Sequence, residues 1–422
     1  MISTAMASLV PFPRPELKTV GVVSTAHAFS HLYMLVLPPV FPLLYADLGV
    51  NYAALGALLM IYAIATGVMQ VPMGLLVDRI GGRAVLALGL GLNAIAIFLV
   101  GLIPSYWAIA LFMVIAGAGN SVFHPADYAI LSARVQDGRV GRAFSMHLFA
   151  GYIGWMLAPP AVLALTALTN WRVALMILGL TGVGYAVFLV TQRECLSDED
   201  KRSRARANDA QARSEGRKTG LALLLTPAIA VFFLFYMIVA MAGNGIQTFS
   251  VVAIMELHGA TLATANFALT AYFIAAAGGT LLGGWLADRI RRHELATAIA
   301  FVLSAFVIAL IGIHGLPISA VIAMMFAGGF FVAVVSPLRD VMVRNAVPAG
   351  SIGTAFGIVT TGFSVGLAAS PVLLGWVNDL GRPEFVFWIT ALITLVGILT
   401  LVAVRTVRVP RTPPRSDLAD AR

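Results

Sequence analysis

Long apolar blocks, separated at intervals by short polar or charged patches, run through this chain. A helix needs roughly 20 apolar residues to cross about 30 Å of hydrocarbon. Twelve runs have that length: 19–44, 50–77, 83–102, 106–133, 140–168, 171–192, 221–251, 262–287, 295–314, 317–343, 352–377 and 384–404. The spacers are too short for soluble domains, except 193–220. That stretch holds Ser197-Asp-Glu-Asp-Lys-Arg-Ser-Arg-Ala-Arg-Ala-Asn208, dense in charge and nearly free of large apolar residues, and reads as a solvated linker. Pro38, Pro39 and Pro42 predict a bend or break at the outer end of the first run.

The pattern occurs twice. Gly74–Arg83 (Gly-Leu-Leu-Val-Asp-Arg-Ile-Gly-Gly-Arg) is a charged hairpin between two apolar runs, with Gly81 and Gly82 permitting a tight turn. It returns in weaker form at Gly284–Arg292, 284 − 74 = 210 residues later in a chain of 422. At an offset of 212, Pro125 maps on Pro337 and Pro159 on Pro371. Both halves start and end on one side, so the repeats are parallel. The prediction is an all-α membrane protein with twelve transmembrane helices in two pseudo-symmetric six-helix bundles. One bundle takes residues 1–192, a linker 193–220, and the second bundle with its tail 221–422.

Composition supports lipid as the main solvent. Hydrophobic residues are 60%, charged residues 11%, and the mean hydropathy is +0.93. A net charge of +8 could point to nucleic acid, but its placement argues otherwise. Threading the spans from inside leaves only Arg172 and Arg382, of 27 basic residues, on the outer side. Both termini are therefore expected in the cytoplasm, and the lipid bilayer rather than nucleic acid is the expected partner. A single cysteine, Cys195, precludes an internal disulfide. The first 18 residues carry Pro11, Pro13 and Pro15 and no cleavable signal pattern, so the first span is expected to insert and stay.

The candidate chemistry lies inside the spans, where ionisable residues are costly and usually face a bundle interior or a cavity. His27 and His31 are i and i+4, on one face of span one. Span four carries Gly117-Ala-Gly119-Asn-Ser-Val-Phe-His124-Pro125-Ala-Asp127-Tyr128, with His124 and Asp127 on one face. His124 lies about ten residues, or roughly 15 Å, from the inner end of its span. His27, and His147 on span five, sit at similar depth, so three spans of one bundle bring histidines to one level. Imidazole titrates near pH ~6.5, which suits protons. Either the histidines and Asp127 carry protons or contact substrate, or they form neutral packing pairs, with Asp127 bound to a histidine or to Arg134. Asn244 and Gln247 on span seven, and Asn266 and Tyr272 on span eight, are candidate polar contacts for a substrate. Arg339 could bind an anion or pair with Asp340, though adjacent residues point in different directions. No phosphate-cradling Gly-x-x-x-x-Gly-Lys-Ser/Thr, metal-ligand cluster or nucleophilic triad stands out, so neither an enzyme nor a cofactor is expected.

The hairpin's full pattern, Gly-x-x-x-Asp-Arg-x-Gly-x-Arg, resembles the signature between helices two and three of the major facilitator superfamily. In that family the aspartate and arginines form a charge network across the cytoplasmic ends of the two bundles, which helps hold the outward-open state. The resemblance carries this gating role to Asp78, Arg79 and Arg83, and to Asp288 and Arg289 in the repeat. His27 with Leu37-Pro38, together with Ser121-Val-Phe-His124-Pro125, looks like the fosmidomycin-resistance branch of drug exporters. That branch usually has an aspartate where His31 stands and a glutamate where Ala126 stands; Asp127 lies one position later. Gly151, Gly154 and Ala158-Pro159 partly match the antiporter signature of span five. The resemblance implies a monomeric, proton-coupled secondary transporter of the bacterial inner membrane, working by alternating access on a small organic solute. Efflux of a drug-like or anionic compound, proton symport of an organic anion such as a carboxylate, and a non-transporting membrane sensor all remain open.

Overall fold

The structure, a computed structural model, describes residues 12–198, 227–346 and 352–406; a few side chains within them, including those of Asp78 and Asp288, lie outside the description. Its helices are α1 Arg14–Met34, α2 Phe41–Leu48, α3 Tyr52–Ile80, α4 Gly82–Leu102, α5 Tyr106–Asn120, α6 Phe123–Arg134, α7 Asp137–Leu168, α8 Trp171–Thr191 and α9 Arg193–Leu196 in the first half. The second half has α10 Pro227–His258, α11 Leu262–Arg289, α12 His293–Ile311, α13 Ile318–Ala346, α14 Ile352–Asp379 and α15 Glu384–Thr406. They supply 12 helical spans long and apolar enough to cross a membrane, one for each apolar run in the sequence. Large apolar side chains such as Leu111, Phe306, Leu392 and Leu399 stand exposed on the outside, where acyl chains meet them.

Two spans are interrupted, for different reasons. α1 stops at Met34, and a 3-10 turn at Pro38–Val40 leads into α2. Successive prolines lack the N–H groups a continuous helix would need, so the break expected there is present. In span four the helix is interrupted at Ser121–Val122. Ser121 is four residues before Pro125 (125 − 121), the position whose carbonyl a proline at 125 leaves without its helical partner. Pro125 falls in the first turn of α6, where a missing N–H costs little. Ser121 closes α5: its N–H donates to the Gly117 carbonyl at 3.1 Å and its hydroxyl to the Ala118 carbonyl at 2.7 Å. Its repeat partner Pro337 sits inside the continuous α13.

Polar contacts gather at the two ends. At the hairpin, Gly81 adopts φ 95°, and Gly82 N–H donates to the Asp198 carboxylate at 2.9 Å. Just after the first bundle, α9 packs on the first half, and Thr19 Oγ1 donates to the Cys195 carbonyl at 2.9 Å. Residues 199–226, with most of the expected linker, lie outside the described residues. Arg139 holds Glu16 by two hydrogen bonds of 2.8 and 2.6 Å, which raise the guanidinium's pKa.

The halves are tied at the end opposite the hairpin. The Asp379 carboxylate, ending α14, accepts the N–H groups of Tyr52 and Ala53 at 2.8 Å each. It thus caps the first turn of α3 across the two halves, where a helix N-terminus favours negative charge. Asn51 caps the same helix locally, accepting Ala54 N–H at 2.9 Å. Asn266 donates to the Pro39 carbonyl at 3.1 Å, and Phe249 meets the rings of Phe41 and Tyr52 at 5.6 and 6.4 Å. Asp379→Ala removes the cross-half cap at an expected cost of about 1 kcal/mol, roughly a fivefold drop in the tied population. Spin labels at Ala46 and Arg382 would report it as a longer, broader distance distribution; an unchanged distribution would mean that the cap contributes nothing to closure.

Candidate functional site

α1, α6 and α7 converge in the interior of the first half. His27 and His31 come from α1, His124 and Asp127 from α6, and His147 from α7. The His27 ring lies 3.8 Å from that of His147, 4.5 Å from His31 and 5.5 Å from His124, centroid to centroid. Asp127 Oδ2 is 3.5 Å from His27 Nδ1 and 3.6 Å from His147 Nε2. His27, Asp127 and His147 are 1%, 0% and 0% exposed, whereas His124 beside them is exposed. An accessible imidazole next to a buried group is what the wall of an internal opening looks like.

The histidines fit because α7 is thin where it crosses α1. A Cβ on Gly151 would stand 2.7 Å from His31 Cε1 and 3.1 Å from His27 Nε2. Gly151→Ala is therefore expected to push both rings aside. If the cluster serves the transport that the sequence resemblance implies, flux should fall several-fold while the detergent-solubilised protein keeps its helix content, as measured by flux and circular dichroism on one preparation. Unchanged flux would show that ring placement does not matter. From His31 the aromatic contacts continue to Trp155 at 4.2 Å and then across the halves to Phe273 at 5.9 Å. Sequence reasoning gave no role to Trp155, yet His147, Gly151 and Trp155 recur every four residues and so share one face.

The second half presents a different chemistry. By the 212-residue offset, Asp127 corresponds to Arg339 (127 + 212 = 339) and Tyr128 to Asp340. The repeat thus holds an anion in one copy and a cation in the other. Of the two expectations for Arg339, the pair with Asp340 is present: Arg339 Nε donates to Asp340 Oδ1 at 2.9 Å. The reason is Tyr236. Its hydroxyl donates to the same oxygen at 2.7 Å, and the guanidinium lies over its ring at 4.0 Å, which folds the long arginine back onto its neighbour. Asn244 donates to the Leu367 carbonyl and the Ser370 hydroxyl at 3.0 and 3.1 Å, joining α10 to α14. Gln247 is half-buried one turn further on, and Tyr272 is buried against Phe273.

Of the residues expected to gate, Arg83 donates to the Val190 carbonyl at 2.6 Å, within its own half, and Arg289 lies over Trp285 at 4.3 Å. Arg79 lies in the last turn of α3. The side chains of Asp78 and Asp288 lie outside the described residues. A depression of about 530 Å³ bordered by Glu256, His314, Arg382 and Glu384 opens at the end opposite the hairpin, away from the histidines.

Known proteins share this architecture. The fosmidomycin resistance protein of Escherichia coli (strain K12) is 23% identical over 392 residues, covering 92% of this chain and 93% of that protein. The membrane sensor protein UhpC of Salmonella typhimurium is 23% identical over 374 residues, 85% of this chain and 84% of its own. The probable sulfoacetate transporter SauU of Cupriavidus necator is 24% identical over 397 residues, 90% of this chain and 91% of its own. A crystal structure of a bacterial homolog of the human lysosomal transporter Spinster, in an inward-facing and occupied conformation, superposes with a TM-score of 0.78 at 14% identity, over 94% of this chain and 98% of that one. The family model described as Major Facilitator Superfamily matches residues 23–252 and 232–421. With two related six-helix halves and matches that together span nearly its whole length, this multi-pass membrane protein belongs to the Major Facilitator Superfamily of transporters.

Proposed function

We propose that this chain is a proton-coupled secondary carrier that exports a small organic solute by alternating access. The observation that carries the reading is the buried group of His27, His147 and Asp127 beside the exposed His124. Titratable side chains held inside a membrane bundle need a reason to be there, and access to protons from an internal opening supplies one. Protonation would then change which state the carrier prefers, through the difference in affinity between the two states. The hairpin end, rich in arginine, is taken as cytoplasmic, with both termini there and the protein a monomer in a bacterial inner membrane. The tie at Asp379 then closes the outer side, and the histidine level opens inward. In this assignment Asp78, Arg79 and Arg83, with Asp288 and Arg289, lock the inner side in the opposite state.

An anionic solute would take the place of Asp340 on the Arg339 guanidinium, which stands at the position equivalent to Asp127 and is held over the Tyr236 ring. Asn244, Gln247 and Tyr272 would line the same space from the second half. The name of the sulfoacetate transporter also denotes an organic anion, which supports the same class. An anion entering with protons would be symport, the second reading. Direction is tested in proteoliposomes with an imposed pH gradient, screened over small organic acids and antibiotics. Expulsion against the proton gradient indicates antiport, and accumulation with it indicates symport. Ligand binding without flux under any gradient would favour a sensor and end the carrier reading.

A further inference from the structure

We infer that His27, His147 and Asp127 form a binding site for a divalent transition-metal ion of the Zn²⁺ class. The sequence hides such a site, because its ligands are 100 and 20 residues apart (127 − 27 and 147 − 127) with no familiar spacing. In the fold, one ligand atom from each of the three lies within 4.8 Å of the others. The separations are informative. Asp127 Oδ2 is 3.5 and 3.6 Å from the two imidazole nitrogens. These distances are long for direct hydrogen bonds, which cluster near 2.9 Å. They are close to the edge of a tetrahedron with metal–ligand bonds of about 2.0–2.1 Å, which is roughly 3.3–3.4 Å.

The group also lacks other partners. Both ring nitrogens of His27 and of His147, and both oxygens of Asp127, are buried without a hydrogen bond. Such a concentration of unpartnered polar atoms is unusual in a folded interior. A cation held by two neutral imidazoles and one carboxylate would satisfy three of them directly. It would also offset the charge of a carboxylate that forms no ion pair with an arginine or lysine among the described residues. Two nitrogens and one oxygen are a borderline donor set, which suits Zn²⁺ and Co²⁺ better than Ca²⁺ or Mg²⁺. A fourth ligand is available within the cluster. His31, whose Nδ1 is likewise buried and unpartnered, is 4.5 Å from His27 ring to ring, and the exposed His124 marks the way in. The assignment rests on this geometry alone; a bound metal and protons compete for the same three side chains, so the metal-loaded and proton-carrying forms are alternative states of one group.

The test uses the full-length, tag-free protein in detergent, titrated with Co²⁺ and followed by visible absorption. One Co²⁺ per chain is expected, with the strong bands of four-coordinate nitrogen and oxygen ligation, and Zn²⁺ should displace it. His147→Gln and Asp127→Asn should each weaken binding on the order of tenfold or more. His293→Ala, at the hairpin end of α12, should leave it unchanged. The wild-type spectrum alone can overturn the proposal, whatever the fate of the variants: weak six-coordinate bands, or no saturable binding, would do so. Undiminished affinity in folded His147→Gln and Asp127→Asn protein would do so too.

Discussion

Asp127→Asn is expected to lower gradient-driven transport on the order of tenfold while leaving solute exchange close to wild type. The substitution keeps the shape of the side chain but removes its capacity to take up a proton. Asp127 is fully buried between two imidazoles, and it is the carboxylate nearest to His27 and His147 among the described residues. If protonation there sets the balance of states, the lost coupling is worth about 1.4 kcal/mol or more, a drop on the order of tenfold in coupled flux. Exchange of labelled for unlabelled solute needs no net proton movement and should persist. The two assays therefore separate a coupling defect from a folding defect. Full coupled flux in both Asp127→Asn and His27→Gln would remove the cluster from the mechanism.

The second large effect is expected at the closed end of the molecule. α3 and α14 touch backbone to backbone there, because two glycines face the opposite helix. A Cβ on Gly56 would overlap the Pro371 carbonyl, and one on Gly375 would stand 2.7 Å from Ala53 Cα. Backbone cannot yield as a flexible side chain can, so valine at either position should hold the two helices apart. A shift of about 1.4 kcal/mol toward the separated state changes its population roughly tenfold. Phe249 is fully buried at this junction, so a cysteine there reports the change. In a Cys195→Ser background, Phe249→Cys should resist a membrane-impermeant maleimide, and Gly375→Val should make it react. Equal labelling with and without Gly375→Val would refute the close approach as the closing device.

Much of the architecture was legible in the sequence because lipid demands long apolar runs and duplication leaves a fixed offset. Pro125 and Pro337 revealed the repeat before any contact was known. The equal depth of His27, His124 and His147 anticipated their approach, since depth depends only on residue count along a helix. What depth cannot give is rotation and neighbour. His31 joined the cluster only because Gly151 clears space for it, and Arg339 turned back only because Tyr236 stands beneath it. The cap on α3 was equally hidden: Asp379 reads as an ordinary end-of-span carboxylate, and its partners lie 326 and 327 residues away. The contact of Asp198 was hidden in the same way, because the residue looks solvated until the Gly82 amide appears beside it.

The two copies of the ancestral unit have diverged mechanically at one place. Span four is jointed at Ser121–Val122, while its counterpart α13 runs as an unbroken rod. A joint lets the segment bearing His124 and Asp127 swivel by small dihedral changes, with α5 left still. In the second half the backbone carrying Arg339 is part of one continuous helix with no such joint. The two copies therefore differ in where a backbone adjustment could be taken up: in the first half beside His124 and Asp127, in the second only at the ends of α13.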